Sequence, residues 1–333
     1  MRKIHVLVLL LLMALPLGAR ADLLKGDVNS DGIVGPDDVA TLISYLLYDD
    51  DSGINLMNAD LDQDSRINIS DATQLISLVK SIQEDPMPDP QTRVFSVNGV
   101  EFTMVFVEGG TFTMGATPEQ GDDVWDNEMP AHEVTLRAYG IGQTEVTQEL
   151  WLAVMGDNPS YYSSALGYDE NLLRPVEWVS WDDCQAFIAH LNQLTGQTFR
   201  LPTEAEWEFA ARGGNRSQGY KYAGSDSIGE VAWYWIGQAF AEACIGTKTV
   251  AAKLPNELGL YDMSGNVWEW CQDDYCSYDT QSQITPTDPS GENTFKVYRG
   301  GGWGHEARYC RVSARNYGIP DYTIFSLGLR LAM

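Results

Sequence analysis

The chain has 333 residues, of which 47 are acidic and 21 are basic, giving a formal net charge of -26 at pH 7. This excess of carboxylates disfavours nucleic-acid binding, because phosphate recognition needs a basic surface. Beyond the N-terminal segment, no stretch approaches the roughly 20 apolar residues that a membrane-spanning helix requires, so we expect no membrane span.

The N-terminal residues 1–21 are typical of a signal peptide. Arg2 and Lys3 precede an apolar run from Val6 to Leu17, and small residues follow at 19 and 21. We therefore expect the mature chain to start near Asp22 and to be secreted, periplasmic or attached to the cell surface. An uncleaved membrane anchor is the alternative. In such an oxidising compartment cysteines are able to pair, although the odd number of five leaves at least one thiol over.

Residues 22–85 carry two copies of one acidic loop pattern, 33 residues apart. Each copy places side-chain oxygens at loop positions where they are able to surround a hard cation, with the backbone carbonyl of position 7 as a further ligand. The predicted ligands are Asp27, Asn29, Asp31, Ile33 and Asp38 in the first loop and Asp60, Asp62, Asp64, Arg66 and Asp71 in the second. Ser65 replaces the glycine that Gly32 supplies at position 6 of the first loop.

A helix-period apolar pattern follows each loop, with Leu42 and Ile43 in the first copy and Leu75 and Ile76 in the second. This duplicated loop-helix unit resembles the dockerin modules of secreted polysaccharide-degrading systems. The resemblance implies a small all-α module that binds two calcium ions and docks onto a cohesin-like domain. A calcium-stabilised domain without a partner is the alternative.

Residues 86–93 are rich in proline and predict an extended linker. Residues 94–333 predict a second, α+β domain with many loops. Its expected elements include a hairpin of residues 102–107 with 111–114, a strand at 132–138 and a helix at 147–155. Cys184, with Phe187, Ile188, Leu191 and Leu194, marks the buried face of another helix, and Thr203 with Glu206 predicts a helix-starting capping box.

Ordered motifs across this second domain resemble the sulfatase-modifying-factor family. The motifs are residues 109–115, 145–147, 175–181, 200–208, 259–270, 299–303 and 310–315. The resemblance implies a C-type-lectin-like fold of the kind found in formylglycine-generating enzymes, which oxidise a sulfatase cysteine with oxygen and a copper(I) ion held by two cysteines. It also implies a calcium site, with Asp262 and Glu269 as side-chain ligands and Gly265 and Val267 as carbonyl ligands.

The copper site of these oxidases is not reproduced in the sequence. Counted from the glycine-rich turn, the position of the first cysteine falls on or beside His305, and that of the second on or beside Cys310. His305 and Cys310 are therefore the candidate catalytic residues. The favoured interpretation is a surface or cleft histidine and a buried or disulfide-bonded thiol, which makes copper doubtful as a cofactor.

Three functions follow from this pattern. The favoured one is a secreted binding or scaffold protein, tethered through its dockerin-like module. A divergent formylglycine-generating oxidase acting on exported sulfatases is the alternative, and a purely structural component of a surface assembly is the third. Trp303, Tyr317 and Tyr322 are the predicted surface for a glycan or protein ligand.

The resemblance also bears on the cysteines. In the related fold, the segments that carry Cys271 and Cys310 flank one cleft, so we expect these two residues to lie near one another, at a separation that permits a disulfide. Pairing of Cys271 with Cys276 is the alternative.

Overall fold

In a computed structural model, the described residues are 25–30, 34, 36–48, 51–62, 64–84, 91–237, 245–279, 283–284 and 295–333. The predicted signal peptide and most of the predicted linker lie outside them. The chain divides into two compact units between Pro88 and Asp89. In the described part of the chain, the helices are too short or too polar to cross a membrane.

The first unit is all-helical in its described part. It contains α1 (Pro36–Tyr48), the short α2 (Leu56–Ala59) and α3 (Ile69–Glu84). Leu42, Ala72 and Leu75 point into its small core, as the apolar pattern predicts. Ile43 and Ile76, predicted on the same faces, are 38% and 37% exposed, because so small a core covers only a narrow stripe of each helix.

The second unit is built on three small sheets. Its strands are β1 (Thr92–Val97), β2 (Val100–Val107), β3 (Gly110–Met114), β4 (His132–Leu136), β5 (Tyr139–Gly142), β6 (Trp268–Asp274), β7 (Gln283–Ile284), β8 (Lys296–Arg299), β9 (Arg315–Gly318) and β10 (Leu327–Leu329). The sheet orders are β1-β2-β5, β3-β4-β7 and β10-β6-β8-β9. The pairs β4-β7 and β6-β10 are parallel and the others antiparallel.

Within the described residues, the α-helices that pack around these sheets are α4 (Gln148–Met155), α5 (Trp181–Thr195), α6 (Glu204–Ala211) and α7 (Ile228–Val231). Short 3-10 helices lie at Pro118–Gln120, Asp126–Glu128, Ser164–Leu166, Gly214–Arg216 and Ala307–Cys310. Thr203 caps α6 together with Glu206, which confirms the capping box. Cys184 is fully buried on α5, also as predicted.

Three local predictions are wrong. The segments 102–107 and 111–114 do not form a hairpin, because β2 pairs with β1 and β5 whereas β3 pairs with β4 in another sheet. Leu194 is 52% exposed near the C-terminal end of α5. The predicted linker ends too late, since Thr92 and Arg93 already belong to β1.

Candidate functional sites

The second acidic loop of the first unit gathers three carboxylates. Asp60, Asp62 and Asp71 each offer an oxygen, and these oxygens all lie within 4.8 Å of one another. That spacing is compatible with one cation at the usual oxygen-to-calcium distance of about 2.3–2.6 Å. Asp64, also predicted as a ligand, lies outside this group, and its Oδ1 accepts a hydrogen bond from the Arg66 amide at 2.8 Å.

Backbone amides pre-organise this loop. Asp71 is fully buried near the start of α3, and its Oδ1 accepts from the amides of Leu61 at 2.8 Å and Asp62 at 3.3 Å. Ser65 has a left-handed φ of 66°, which confirms that the loop keeps its glycine conformation with a serine present. Such a conformation strains a residue that carries a Cβ.

The first loop repeats the same internal bond. Asp38 is buried near the start of α1, and its Oδ1 accepts from the amide of Asn29 at 2.9 Å. Asp27 is likewise buried. The predicted ligands Asp31 and Ile33 lie outside the described residues, so the geometry of this loop is described only in part.

In the second unit, the predicted calcium ligand Glu269 forms an ion pair with Arg330. Both carboxylate oxygens of Glu269 accept hydrogen bonds from Arg330, at distances of 2.7–3.1 Å. Oε2 also accepts from the indole nitrogen of Trp207 at 2.7 Å. This ion pair is fully buried, so the charge of the Glu269 carboxylate is balanced by the Arg330 guanidinium.

Asp262 fits a cation better. It is 2% exposed and has a left-handed φ of 56°. Its Oδ2 accepts from the Ala251 amide at 2.7 Å, whereas its Oδ1 has no partner. Burial raises the pKa of Asp262 to about 6. Such an orphaned, buried oxygen is what a removed oxygen-coordinated ion would leave behind.

Glu145, which the sequence did not nominate, lies in the same buried region. Burial raises its pKa well above the ordinary value, and the charges of Asp262 and Glu269 raise it further. Its carboxylate accepts from the side-chain amide of Asn266 at 3.1 Å and from the Val267 amide at 3.3 Å. The charge of one guanidinium, that of Arg330, therefore acts on three carboxylates, and of these Asp262 keeps an oxygen without a partner.

His305 lies inside the glycine-rich turn region and is held in place by two contacts. Its Nε2 lies 3.4 Å from the indole nitrogen of Trp268, which donates to it, and its backbone oxygen accepts from the Trp235 amide at 2.8 Å. Its Nδ1 is buried without a partner. Burial lowers the pKa of His305, so the imidazole is neutral at pH 7.

Cys310 is a buried thiol. It is 0% exposed, it packs with Tyr222 and Val231, and burial raises its pKa to about 12. At neutral pH the thiol is therefore protonated, whereas nucleophilic attack requires a thiolate. The arrangement matches the favoured interpretation of Cys310 as a buried residue.

The predicted disulfide is not formed. Cys271 and Cys310 both keep unbonded sulfurs and belong to different hydrophobic clusters. Cys271 points into the core between α6 and the sheets, so it pairs neither with Cys310 nor with Cys276.

The three residues of the predicted ligand surface pack against different partners. Trp303 is only 8% exposed, because its ring packs against Tyr162 and Phe325 with centroids 5.5 and 5.8 Å apart. Tyr317 packs instead against Tyr275 and Phe295. Tyr322 packs over Gly318. Tyr317 and Tyr322 are exposed, at 41% and 37%, so Trp303 was wrongly placed on the rim.

Comparison with known proteins agrees with this architecture. Residues 91–333 match the sulfatase-modifying factor enzyme 1-like domain, and residues 25–80 match the dockerin type I domain. The chain therefore belongs to the sulfatase-modifying-factor family and carries a dockerin module ahead of the family domain.

Three relatives illustrate the range of the family. A chaperone protein LppX of Paenibacillus barcinonensis is 34% identical over 63% of this chain and 81% of its own length. A formylglycine-generating enzyme of Streptomyces coelicolor is 30% identical over 74% of this chain and 92% of its own. An inactive C-alpha-formylglycine-generating enzyme 2 of Mus musculus is 30% identical over 69% and 85%.

Among solved structures, the Treponema denticola variable protein 1 is similar with a TM-score of 0.64 and 33% identity. The match covers 73% of this chain and 99% of that one. The second unit therefore has the fold of the formylglycine-generating-enzyme family, as the motifs predict.

Proposed function

We propose that this protein is a binding or scaffold protein that keeps the family fold without oxidase chemistry. The observation that supports this proposal most strongly is the burial of Cys310, whose side chain is 0% exposed and packs with Tyr222 and Val231. The position of the other oxidase cysteine falls at or beside a neutral histidine, His305, whose Nε2 accepts a hydrogen bond from Trp268. Copper(I) prefers two soft thiolates. The candidate residues offer one thiol and one imidazole, and the Nε2 of that imidazole already accepts a hydrogen bond.

The second candidate function is a divergent formylglycine-generating oxidase that matures exported sulfatases. Its support is the similarity to the Streptomyces coelicolor enzyme along nearly that enzyme's full length. A relative described as inactive matches equally well, so overall similarity does not separate the two functions. The chemistry at Cys310 and His305 favours the binding role.

The dockerin module supplies the tether in this proposal. Calcium held by Asp60, Asp62 and Asp71, and by the matching first loop, would screen carboxylates that otherwise repel one another. The ordered module would then dock onto a cohesin-like domain outside the cell, after removal of residues 1–21 as a signal peptide. The alternative is a calcium-stabilised domain without a partner.

Calcium is also proposed in the second domain, at a modified ligand set. Asp262 supplies the unpartnered oxygen, Glu145 the neighbouring carboxylate, and Gly265 and Val267 the carbonyls. Glu269 would act indirectly by holding Arg330. The role of the ion would be to neutralise buried charge and fix the loop, not to take part in a reaction.

Copper(I) titration of the purified chain tests the non-oxidase proposal. Competition against a copper(I) chelator should show no tight site, and Cys310→Ser should titrate like the parent chain. A tight one-to-one site that Cys310→Ser removes would instead support the oxidase. His190→Ala, which alters a histidine of α5, serves as the matched control for adventitious imidazole binding.

A further inference from the structure

Six aromatic side chains from separate loops of the second domain form one cluster. Their ring centroids lie 4.9–6.3 Å apart in contacting pairs. The members, called the aromatic cluster below, are Tyr161, Tyr162, Tyr168, Trp178, Trp303 and Phe325. Neighbouring rings meet mostly edge-on or tilted, the arrangement that aromatic quadrupoles favour.

The cluster has a buried floor and an exposed rim. Tyr162 and Trp303 form the floor, at 5% and 8% exposure. Tyr168, Trp178 and Phe325 are 39%, 41% and 43% exposed. All three exposed rings contact Tyr161, with centroids 5.3–6.0 Å away, so they belong to one continuous surface.

A carboxylate lies beneath this surface without a counter-ion. Glu177 is 0% exposed, its Oε1 accepts from the Tyr162 amide at 2.8 Å, and its Oε2 has no partner. The nearby cation, Arg174, is already engaged by Asp169 at 2.8 Å and by the carbonyl of Thr247. A buried acceptor left unsatisfied is costly, so it indicates a site that something else completes.

The carboxylate lies close to the tyrosines of the cluster, since its Oε1 accepts from the backbone amide of Tyr162. Burial raises the pKa of the Tyr162 phenol, and the neighbouring Tyr168 and Glu177 raise it further. The pKa of Tyr168 is raised first by its hydrogen bond with Tyr161 and by burial, and Glu177 raises it further. The negative charge of Glu177 therefore raises the pKa of a phenol group in the rim, Tyr168, and of one in the floor, Tyr162.

The residue next to Glu177 has a strained backbone. Trp178 has a φ of 65°, which a bulky aromatic residue rarely adopts, and its amide donates to the Ile324 carbonyl at 3.2 Å. Such strain costs of the order of 1–3 kcal/mol and concentrates at ligand sites, where it fixes a side chain in a required place. Here it presents the Trp178 ring at the surface, stacked on Tyr161.

We propose that the aromatic cluster and Glu177 bind an alkylammonium group. Aromatic faces attract cations, and aromatic surfaces recognise methylated and quaternary ammonium groups in particular. The unpartnered carboxylate supplies the counter-charge, and exposed Glu170 beside the rim adds to the local negative potential. An uncharged sugar would use the exposed rings but would gain nothing from the charge beneath them.

This inference names the ligand chemistry of the proposed binding role and therefore rests on that role. The ammonium group has two potential sources, a small free quaternary amine or a lysine side chain of a partner protein. Both present a cation at the end of an apolar body, which suits a rim of rings around a buried charge.

Titration calorimetry and tryptophan fluorescence of the full chain at pH 8 test the proposal. The probes are tetramethylammonium chloride and an N-acetylated, C-amidated lysine, each compared with sodium chloride at equal ionic strength. We expect saturable binding of at least one probe. Trp178→Gly, which keeps the left-handed backbone, and Glu177→Gln should each weaken it by roughly fivefold or more. Phe106→Ala, at an exposed ring on β2, is the matched control and should change nothing.

Binding of tetramethylammonium alone identifies a small quaternary amine, whereas binding of the lysine derivative identifies a protein side chain, and either supports the proposal. No binding of either probe to a chain with a native melting curve overturns it, as does binding that both variants leave unchanged. Preferential binding of a neutral oligosaccharide would also overturn it. Since these titrations use no copper and no sulfatase peptide, their failure is distinct from discovery of oxidase activity.

Discussion

Replacement of Glu177 by glutamine should make the stability of the second domain less sensitive to pH. Burial raises the pKa of Glu177 from its ordinary value of 4.5 to about 7. The folded chain therefore holds this proton more tightly than the unfolded chain does. The resulting stability is fully present below pH 4.5 and is lost as the pH rises through about 7.

The size of the effect follows from the two pKa values. Each tenfold change in proton affinity is worth about 1.4 kcal/mol, so ionisation of Glu177 costs the folded state on the order of 3 kcal/mol at pH 8. Glutamine cannot ionise and keeps the shape of the protonated acid. We therefore expect Glu177→Gln to gain about 3 kcal/mol over the parent chain between pH 4.5 and pH 8.

Thermal melting of the two chains across this pH range provides the assay. For a domain of this size, about 3 kcal/mol corresponds to a Tm difference of roughly 6–12 °C. As a control, Glu170→Gln changes an exposed glutamate shortly before Glu177 in the chain. Its Tm should show no such trend with pH. A Tm difference between Glu177→Gln and the parent chain that stays flat with pH would refute the reasoning. It would mean that Glu177 has a partner in solution.

Three further predictions concern metal, thiols and aromatic packing. Chelation of calcium should lower the helicity of the first unit, and Asp71→Asn should weaken calcium binding by roughly tenfold or more; unchanged circular dichroism would contradict this. Peptide mapping without reductant should recover Cys271 and Cys310 as thiols that are alkylated only after unfolding, and a linked peptide would show the opposite. Trp303→Ala should cost about 3–5 kcal/mol in denaturant unfolding, because the ring is buried, whereas Tyr322→Ala should cost roughly 1 kcal/mol or less. Equal costs would place Trp303 on the surface after all.

Local sequence patterns predicted the parts of the fold that depend on neighbouring residues. The loop spacing located Asp60, Asp62 and Asp71, because a twelve-residue loop brings its own ligands together. The Thr203 to Glu206 capping box likewise acts within one helical turn. Motif order across the second domain then led to the correct family fold.

Features that depend on distant partners were missed. Arg330 is 61 positions from Glu269 in the sequence but pairs with it in the fold. The sequence neighbours of Glu269 do not indicate that its charge is paired. The charge of Asp262 likewise acts on Glu145 from a distant part of the sequence. The β2 to β3 segment suggested a hairpin because its glycines suit a turn. Yet a Cβ at Gly109 would lie 2.6 Å from the Leu136 carbonyl, so this glycine serves close packing between segments instead.

The aromatic residues show the same limit. Composition revealed many tyrosines and tryptophans, but not which of them share a surface. Trp303 looked like a rim residue from its place beside a glycine-rich turn, whereas Tyr162 and Phe325 cover it. Large rings contribute equally to cores and to binding surfaces, so only the three-dimensional structure separates the two uses.

The most direct test of the non-oxidase account is turnover of a cysteine-containing sulfatase peptide. The full chain, supplied with copper(I) and oxygen, is incubated with the peptide, and mass spectrometry measures conversion of its cysteine to formylglycine. The Streptomyces coelicolor enzyme serves as the positive control. The account predicts no conversion by this protein under conditions in which the control enzyme completes the reaction. Copper-dependent conversion that Cys310→Ser abolishes would contradict it.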